Sequence, residues 1–280
     1  MRRRFMKKSE PLTYHLEIQT KANSIVRIGD KDYNTGPSGL AHFYLKKGTY
    51  EYYIINSNYM IRSNIVDIKG MTNVTVTDLN PIPSYYADIS IYNSNGTHGY
   101  NPGSNPIGVL VDCSQSSFIL SLKCFGRGYG DCSSNSVNGL QNTSLQNVLS
   151  DFNGKSNFNR MVSRSSCPTN NGYVVGKINT FSDGNIGAGQ WYLPSGGQIC
   201  IVKQYYNEIM SACNRCGFYP NISHIIYTST KCANVSYAPH ENTDESVFAP
   251  DIYTDNPINE RNVRISAWSN IYYWAVADKP

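Results

Sequence analysis

The chain is poor in charge. Asp, Glu, Lys and Arg make up 16% of its residues, well under the roughly one quarter usual in globular proteins, so salt-bridged helices cannot dominate its surface. Solubility falls instead to neutral hydrogen-bonding groups, with Asn and Ser at 31 residues each and Tyr at 22. Asn and Ser compete with the helical backbone for hydrogen bonds, which favours strands, turns and loops over long helices. Long apolar runs are missing too. No stretch approaches the roughly 18 apolar residues that cross a bilayer as a helix, so no membrane insertion is expected. The head Met1 to Lys8 is basic, like the start of a secretory signal, but Ser9, Glu10 and Pro11 stand where its apolar core would be. No export signal is therefore expected.

Catalytic motifs are absent as well. There is no G-x-S-x-G elbow, no P-loop, no H-E-x-x-H and no D-x-D-x-D-G loop. The histidines His15, His42, His98, His224 and His240 are scattered without metal-ligand spacing. A protein without enzymatic activity and without a resident cofactor or metal is expected. Asp244, Glu245, Asp251 and Asp255 form one acidic cluster. Calcium takes flexible oxygen cages from loops of this kind, but a solvated acidic loop is the simpler reading.

The formal charge of +4 is local. Arg2, Arg3, Arg4, Lys7 and Lys8 supply it, and the remaining chain is close to neutral, which argues against a nucleic-acid binder. The eight cysteines, Cys113, Cys124, Cys132, Cys167, Cys200, Cys213, Cys216 and Cys232, all follow the first third of the chain. Without a signal peptide, reduced thiols stand beside a disulfide framework as readings, and no connectivity follows from spacing. Cys213 and Cys216 form a C-x-x-C word, but no second pair at zinc spacing accompanies it.

From Leu12 to Leu79 short alternating runs are punctuated by turns. Leu16 and Ile18, Ile25 to Ile28, Phe43 and Leu45, Tyr50 to Ile54, Ile65 to Ile68, and Val74 and Val76 predict six half-buried strands. Gly29-Asp30, Gly36-Pro37-Ser38-Gly39, Lys46-Lys47-Gly48 and Lys69-Gly70 mark the turns between them. The pattern predicts a small antiparallel β-sandwich. Asn80-Pro81-Ile82-Pro83-Ser84 then interrupts it with two prolines that cannot donate into a sheet. The expected organisation is a basic tail over 1–11, a sandwich over 12–80, a linker over 81–87 and a second domain over 88–280.

In the second domain strands become sparse, and Ile107 to Val111 and Phe118 to Leu122 are the clearest. Two helices are expected. Leu145, Val148, Leu149 and Phe152 share one face of a helix over Thr143 to Phe152. The other begins at Gly196, where Ser195-Gly196-Gly197-Gln198 has the form of a capping box. Ile199, Val202, Tyr205 or Tyr206, Ile209, Cys213 and Cys216 carry its apolar stripe, and Gly217 ends it. On that stripe Cys213 and Cys216 are core residues rather than redox groups. The whole chain reads as α+β and β-rich.

Two resemblances are carried by these words. Ser24-Ile25-Val26-Arg27-Ile28-Gly29, the turn Gly36 to Leu40, Leu45-Lys46-Lys47-Gly48-Thr49-Tyr50, Asn58-Tyr59 and Val74 to Leu79 resemble PEGA-type surface-layer-like β-domains. Such domains imply a spacer or docking role. From Ile107 to Asp278 the chain is similar to C-type-lectin-like domains of the Fibrobacter major-paralogue type, known from gut Bacteroidetes and their phages. The words are Trp191-Tyr192-Leu193-Pro194-Ser195, the helix, Tyr227-Thr228-Ser229-Thr230 and the closing Tyr273-Trp274-Ala275-Val276-Ala277-Asp278. Gln198-Ile199 replaces the usual Glu-Leu and keeps the capping chemistry, while Tyr227 stands where the family has Trp and Trp274 where it has Arg.

The lectin-like resemblance implies a variable recognition segment, here Asn221 to Tyr272. It carries Tyr227, Asn234, Tyr237, His240, Tyr253, Asn262, Trp268 and Tyr272 as candidate ligand contacts. Tyr and Trp offer large amphipathic contact area at low entropy cost, and Asn offers adaptable hydrogen bonds. Related domains are often diversified by retroelements that leave Asn, Tyr, Ser, Ile, Thr and Asp at contact sites, and the mixture here is compatible with that.

The reading is a homo-oligomeric virion protein, or alternatively a cell-surface one. It would bind a host-surface glycan or protein and dock to other virion proteins through its N-terminal domain. A structural decoration or adaptor protein of a capsid or tail is the alternative. An oxidase of the formylglycine-generating type shares the lectin-like architecture, but a helix-face position for Cys213 and Cys216 argues against it.

Overall fold

The computed structural model describes residues 13–79, 81–127, 141–142, 145–163, 173–220, 228–232, 247–248, 263–264 and 271–280. The basic tail over 1–11 lies outside these residues. The chain divides into two compact units, Met1–Asn80 and Pro81–Pro280. It is β-rich with few helices, and no described helix is long and apolar enough to cross a membrane.

The first unit contains β1 (Tyr14–Gln19), β2 (Ile25–Ile28), β3 (Lys31–Asn34), β4 (Leu40–Leu45), β5 (Gly48–Asn56), β6 (Tyr59–Ile68) and β7 (Thr72–Thr75). They form a three-stranded sheet, β4-β1-β7, and a four-stranded sheet, β3-β2-β5-β6. Successive side chains of a strand point to opposite faces, so Leu16, Ile18, Ala41, Phe43 and Leu45 of one sheet meet Val26, Ile28, Tyr52, Ile54, Val66 and Ile68 of the other in a single buried cluster. Each large aliphatic side chain buried there contributes about 2 kcal/mol. His15, Glu17, His42 and Tyr44 alternate with them and face outward.

Two expectations need correcting in this unit. The sandwich is not wholly antiparallel, because β1 pairs with β7 in parallel, Leu16 opposite Thr72. Strand β7 follows β6 of the other sheet and crosses to the free edge of β1, which frees it from the hairpin geometry that imposes antiparallel pairing. There is also a seventh strand. All four residues of β3 are exposed, so it shows no apolar alternation. It is held by the two-residue turn at Gly29 (φ 60°) and by its ladder to β2.

The second unit is built on β8 (Ala87–Asn93), β9 (His98–Gly99), β10 (Pro106–Cys113) and β11 (Phe118–Arg127), followed by β12 (Gln141–Asn142), α1 (Leu145–Leu149), α2 (Gly154–Val162), α3 (Val174–Asn179) and β13 (Trp191–Tyr192). Then come α4 (Gly196–Gln204), α5 (Tyr206–Arg215), β14 (Lys231–Cys232), β15 (Val247–Phe248), β16 (Val263–Arg264) and β17 (Ile271–Asp278). Six strands form the main sheet in the order β13-β17-β11-β10-β8-β9, and β12-β14-β15-β16 form a smaller one. Main-sheet residues such as Val109, Leu110, Ile119, Leu120, Tyr273 and Val276 bury against Phe158, Met161, Val175, Ile178, Ile201, Val202 and Ile209 of the helices.

The described residues contain five helices in this unit, not two. The helix expected over Thr143 to Phe152 is the shorter α1, beyond which the side chain and backbone of Asp151 are taken up by other bonds. The helix expected from Gly196 to Cys216 starts where the capping box placed it, with Gln198 Oε1 accepting the Ser195 amide at 2.9 Å. It breaks at Tyr205, which leaves the helical region at φ −107° and ψ 26°. The stop at Gly217 holds. At φ 70° it closes a Schellman motif, in which Phe218 N donates to Cys213 O and Gly217 N to Asn214 O, both at 3.0 Å.

Candidate functional site

The W-Y-L-P-S word is part of the buried scaffold to which Thr228-Ser229-Thr230 is tied. Trp191 and Leu193 are fully buried, and Tyr192 nearly so. Trp191 Nε1 donates to Ile186 O at 3.3 Å, and the Tyr192 hydroxyl donates to Asp278 Oδ1 at 2.5 Å while accepting from Gln198 Nε2 at 3.2 Å. The capping residue thus also ties α4 to the tyrosine of β13. Burial and the Asp278 carboxylate together push the Tyr192 phenol above its ordinary range, so it keeps the proton it donates to Asp278.

The segment is anchored at Thr228-Ser229-Thr230, three fully buried polar residues. Ser229 N donates to Pro194 O at 2.8 Å. Thr230 Oγ1 accepts the Gly196 amide at 2.8 Å and donates to Asp151 Oδ2 at 2.6 Å. Asp151 is 8% exposed and also accepts from Asn153 N at 2.9 Å and from Asn157 Nδ2 at 2.8 Å. One buried carboxylate therefore joins the turn after α1, helix α2, the start of α4 and the anchored triplet. Such a charge is tolerable inside a protein only with this degree of hydrogen bonding. Downstream, β14, β15 and β16 bind the segment to β12 as short ladder rungs. Strand β17 then returns it to the main sheet, between the edge strand β13 and β11.

Of the candidate contacts, Tyr227, Asn234, Tyr237, His240, Tyr253, Asn262 and Trp268 lie outside the described residues. The backbone of Tyr272 lies in β17 opposite Gly126. The acidic cluster Asp244, Glu245, Asp251 and Asp255 also lies outside the described residues.

Cys113, Cys124, Cys200, Cys213 and Cys216 are free thiols. Burial pushes Cys124 and Cys213 up to about 12 and raises Cys200 and Cys216 as well. Cys213 is fully buried among apolar neighbours, so it has the core role expected of it, while Cys216 at the helix end is half-buried.

Two of the histidines, His15 and His42, are brought together once the sheet forms, which spacing along the chain did not indicate. The β1–β4 ladder sets Glu17 opposite His42 and His15 opposite Tyr44. His15 Nε2 comes within 3.0 Å of His42 Nδ1, and Glu17 Oε2 within 3.7 Å of the same His42 nitrogen. His15 and Glu17 two apart on one strand were the available signal. The partner 27 residues away is set by register alone.

Compared with known proteins, the chain matches no family model and no curated protein.

Proposed function

We propose that the chain is a recognition protein of a virion or cell surface. In this reading the C-terminal unit, of C-type-lectin type, presents Asn221 to Tyr272 to a host-surface glycan or protein. The N-terminal unit, of PEGA type, docks to neighbouring virion proteins. The observation that carries the reading is the anchoring of that segment. It is pinned near its start by Thr228-Ser229-Thr230 in the buried scaffold and at its end by strand β17, which is paired on both sides. A Tyr- and Asn-rich stretch of sequence held to a buried scaffold near both ends suits recognition, in which a rigid framework positions the binding residues.

Binding rather than catalysis is also supported by the thiols. Their raised pKa values keep Cys124, Cys200, Cys213 and Cys216 protonated, and a protonated thiol is a poor nucleophile.

The test is adsorption of the purified chain to gut Bacteroidetes cells, with Tyr237→Ala and Tyr253→Ala combined. The expected result is binding by the parent chain and its loss in the double variant, with the circular dichroism spectrum and melting curve unchanged. Unchanged adsorption by a folded double variant would refute the proposed surface.

A further inference from the structure

The geometry points to a binding site for a divalent transition metal ion of the zinc class on the outer face of the N-terminal sandwich, with His15, Glu17 and His42 as its ligands. Among the described residues this is the one group of His, Cys, Asp or Glu whose donor atoms converge so closely, all within 4.8 Å of one another.

Ligand atoms around tetrahedral zinc, at bond lengths of about 2.0–2.1 Å, lie about 3.3 Å apart. The separations here, 3.0 Å between the two imidazole nitrogens and 3.7 Å from His42 Nδ1 to Glu17 Oε2, straddle that edge length. A proton between the histidines satisfies only one of these contacts, because 3.7 Å is too long for a hydrogen bond to the carboxylate. A cation among them can draw on all three donors at once, since they lie within 4.8 Å of one another. Two imidazoles and one carboxylate select zinc and its transition-metal neighbours over calcium or magnesium, which take oxygen cages.

The support is rigid. All three residues sit on adjacent paired strands whose inward neighbours Leu16, Ile18, Ala41 and Phe43 are core. The rings are braced from the sides. The His15 and His42 ring planes lie within 13° of each other, with centroids 5.2 Å apart. Tyr44 lies against His15 at 5.2 Å, and Tyr33 meets His42 edge-on at 6.2 Å. The His42 and Glu17 side chains remain 36% and 33% exposed, so solvent or a donor from another molecule can complete the shell, as in open three-ligand zinc sites. This site is independent of the ligand surface proposed for the C-terminal unit.

The test is zinc titration of the full chain, stripped beforehand with chelator. It is followed by calorimetry and by the imidazole nitrogen signals of 15N-histidine-labelled protein. His15 and His42 signals should shift at one equivalent while His98 stays in place. His15→Gln and His42→Gln should each lose one bound zinc per chain, and Glu17→Gln should weaken that site at least ~10-fold. Because a free thiol elsewhere in the chain could also take up zinc, the decisive quantity is the difference between parent and variants. Imidazole signals that do not move under excess zinc, or folded variants that bind as many ions as tightly as the parent, would overturn the proposal. If a variant fails to fold, the signals of the parent chain decide alone.

Discussion

Thr230 Oγ1 donates to Asp151 Oδ2 at 2.6 Å across 79 residues of chain, and the same hydroxyl oxygen accepts the Gly196 amide. A single methyl-for-hydroxyl exchange, Thr230→Val, keeps the shape of the side chain but leaves both a buried carboxylate oxygen and a helix N-terminal amide without this partner. It should cost about 2–3 kcal/mol, read as a lower unfolding midpoint of the C-terminal unit. Asp151→Ala, which strips the hub from Asn153, Asn157 and Thr230 together, should cost more, about 3–5 kcal/mol. An unchanged midpoint in Thr230→Val would show that the anchor is not held by this bond.

Two glycines should respond differently to alanine. At Gly196 an added Cβ would lie 2.3 Å from the carbonyl oxygen of Val148, which is backbone and cannot step aside. Gly196→Ala should therefore force α4 away from α1 and destabilise by about 2 kcal/mol or more. Gly217 has open space around it, and its only demand is the left-handed φ of 70°. Gly217→Ala should cost about 1–2 kcal/mol, and Gly217→Asn clearly less. Thermal melts of the three variants would order them.

Trp274 is fully buried in β17, and its Nε1 donates to Ser121 O at 2.5 Å. Trp274→Phe keeps an aromatic body but removes the donor and part of the volume, for an expected loss of about 2 kcal/mol. Trp274→Arg would place an unpaired cation at the same point, and the C-terminal unit should then fail to fold. Near-ultraviolet dichroism distinguishes the outcomes. A folded Trp274→Arg chain would mean that this position can open to solvent.

Alkaline stability should carry the mark of the buried thiols. Cys124 and Cys213 are held near 12 against an ordinary 9.0 by burial. The folded state keeps these protons more tightly, so the stabilisation is complete below pH 9 and is lost as pH rises from 9 towards 12. The loss should approach roughly 1 kcal/mol per pH unit for each thiol. Denaturant midpoints at pH 8, 9 and 10 measure it, and Cys213→Ala should flatten the profile by one thiol's share. An identical slope in parent and variant would count against this assignment.

What could be read in advance was what depends on neighbours in sequence. The start of α4 rests on Ser195 and Gln198, and the end of α5 on Gly217, so a few residues sufficed. The strands around Leu16, Ile54 and Ile68 announced themselves by alternation against a core. By contrast, α2 offers Phe158 and Met161 as its buried apolar side chains among Asn, Ser and Lys, too thin a stripe to recognise. The break at Tyr205 goes with hydroxyl bonds to distant backbone, donating to Tyr85 O and accepting from Ala87 N at 3.1 Å each, and β3 has no buried face at all. That His42 joins His15 and Glu17 was invisible for the same reason as the Asp151 hub. Both are made by pairing between distant segments, which spacing along the chain does not encode.

The position of β17 also bears on how the molecule assembles on the ribosome. Its partners β11 and β13 are synthesised long before it, yet it lies between them, with Phe118 opposite Asp278 and Trp191 opposite Ala277. Until Ile271–Asp278 emerges, the apolar edge of β11 stays bare, and nascent chains stalled upstream of it are open to misassociation. Late closure of non-local pairs also makes this unit the slow step of maturation. The N-terminal sandwich, finished some two hundred residues earlier, does not wait for it.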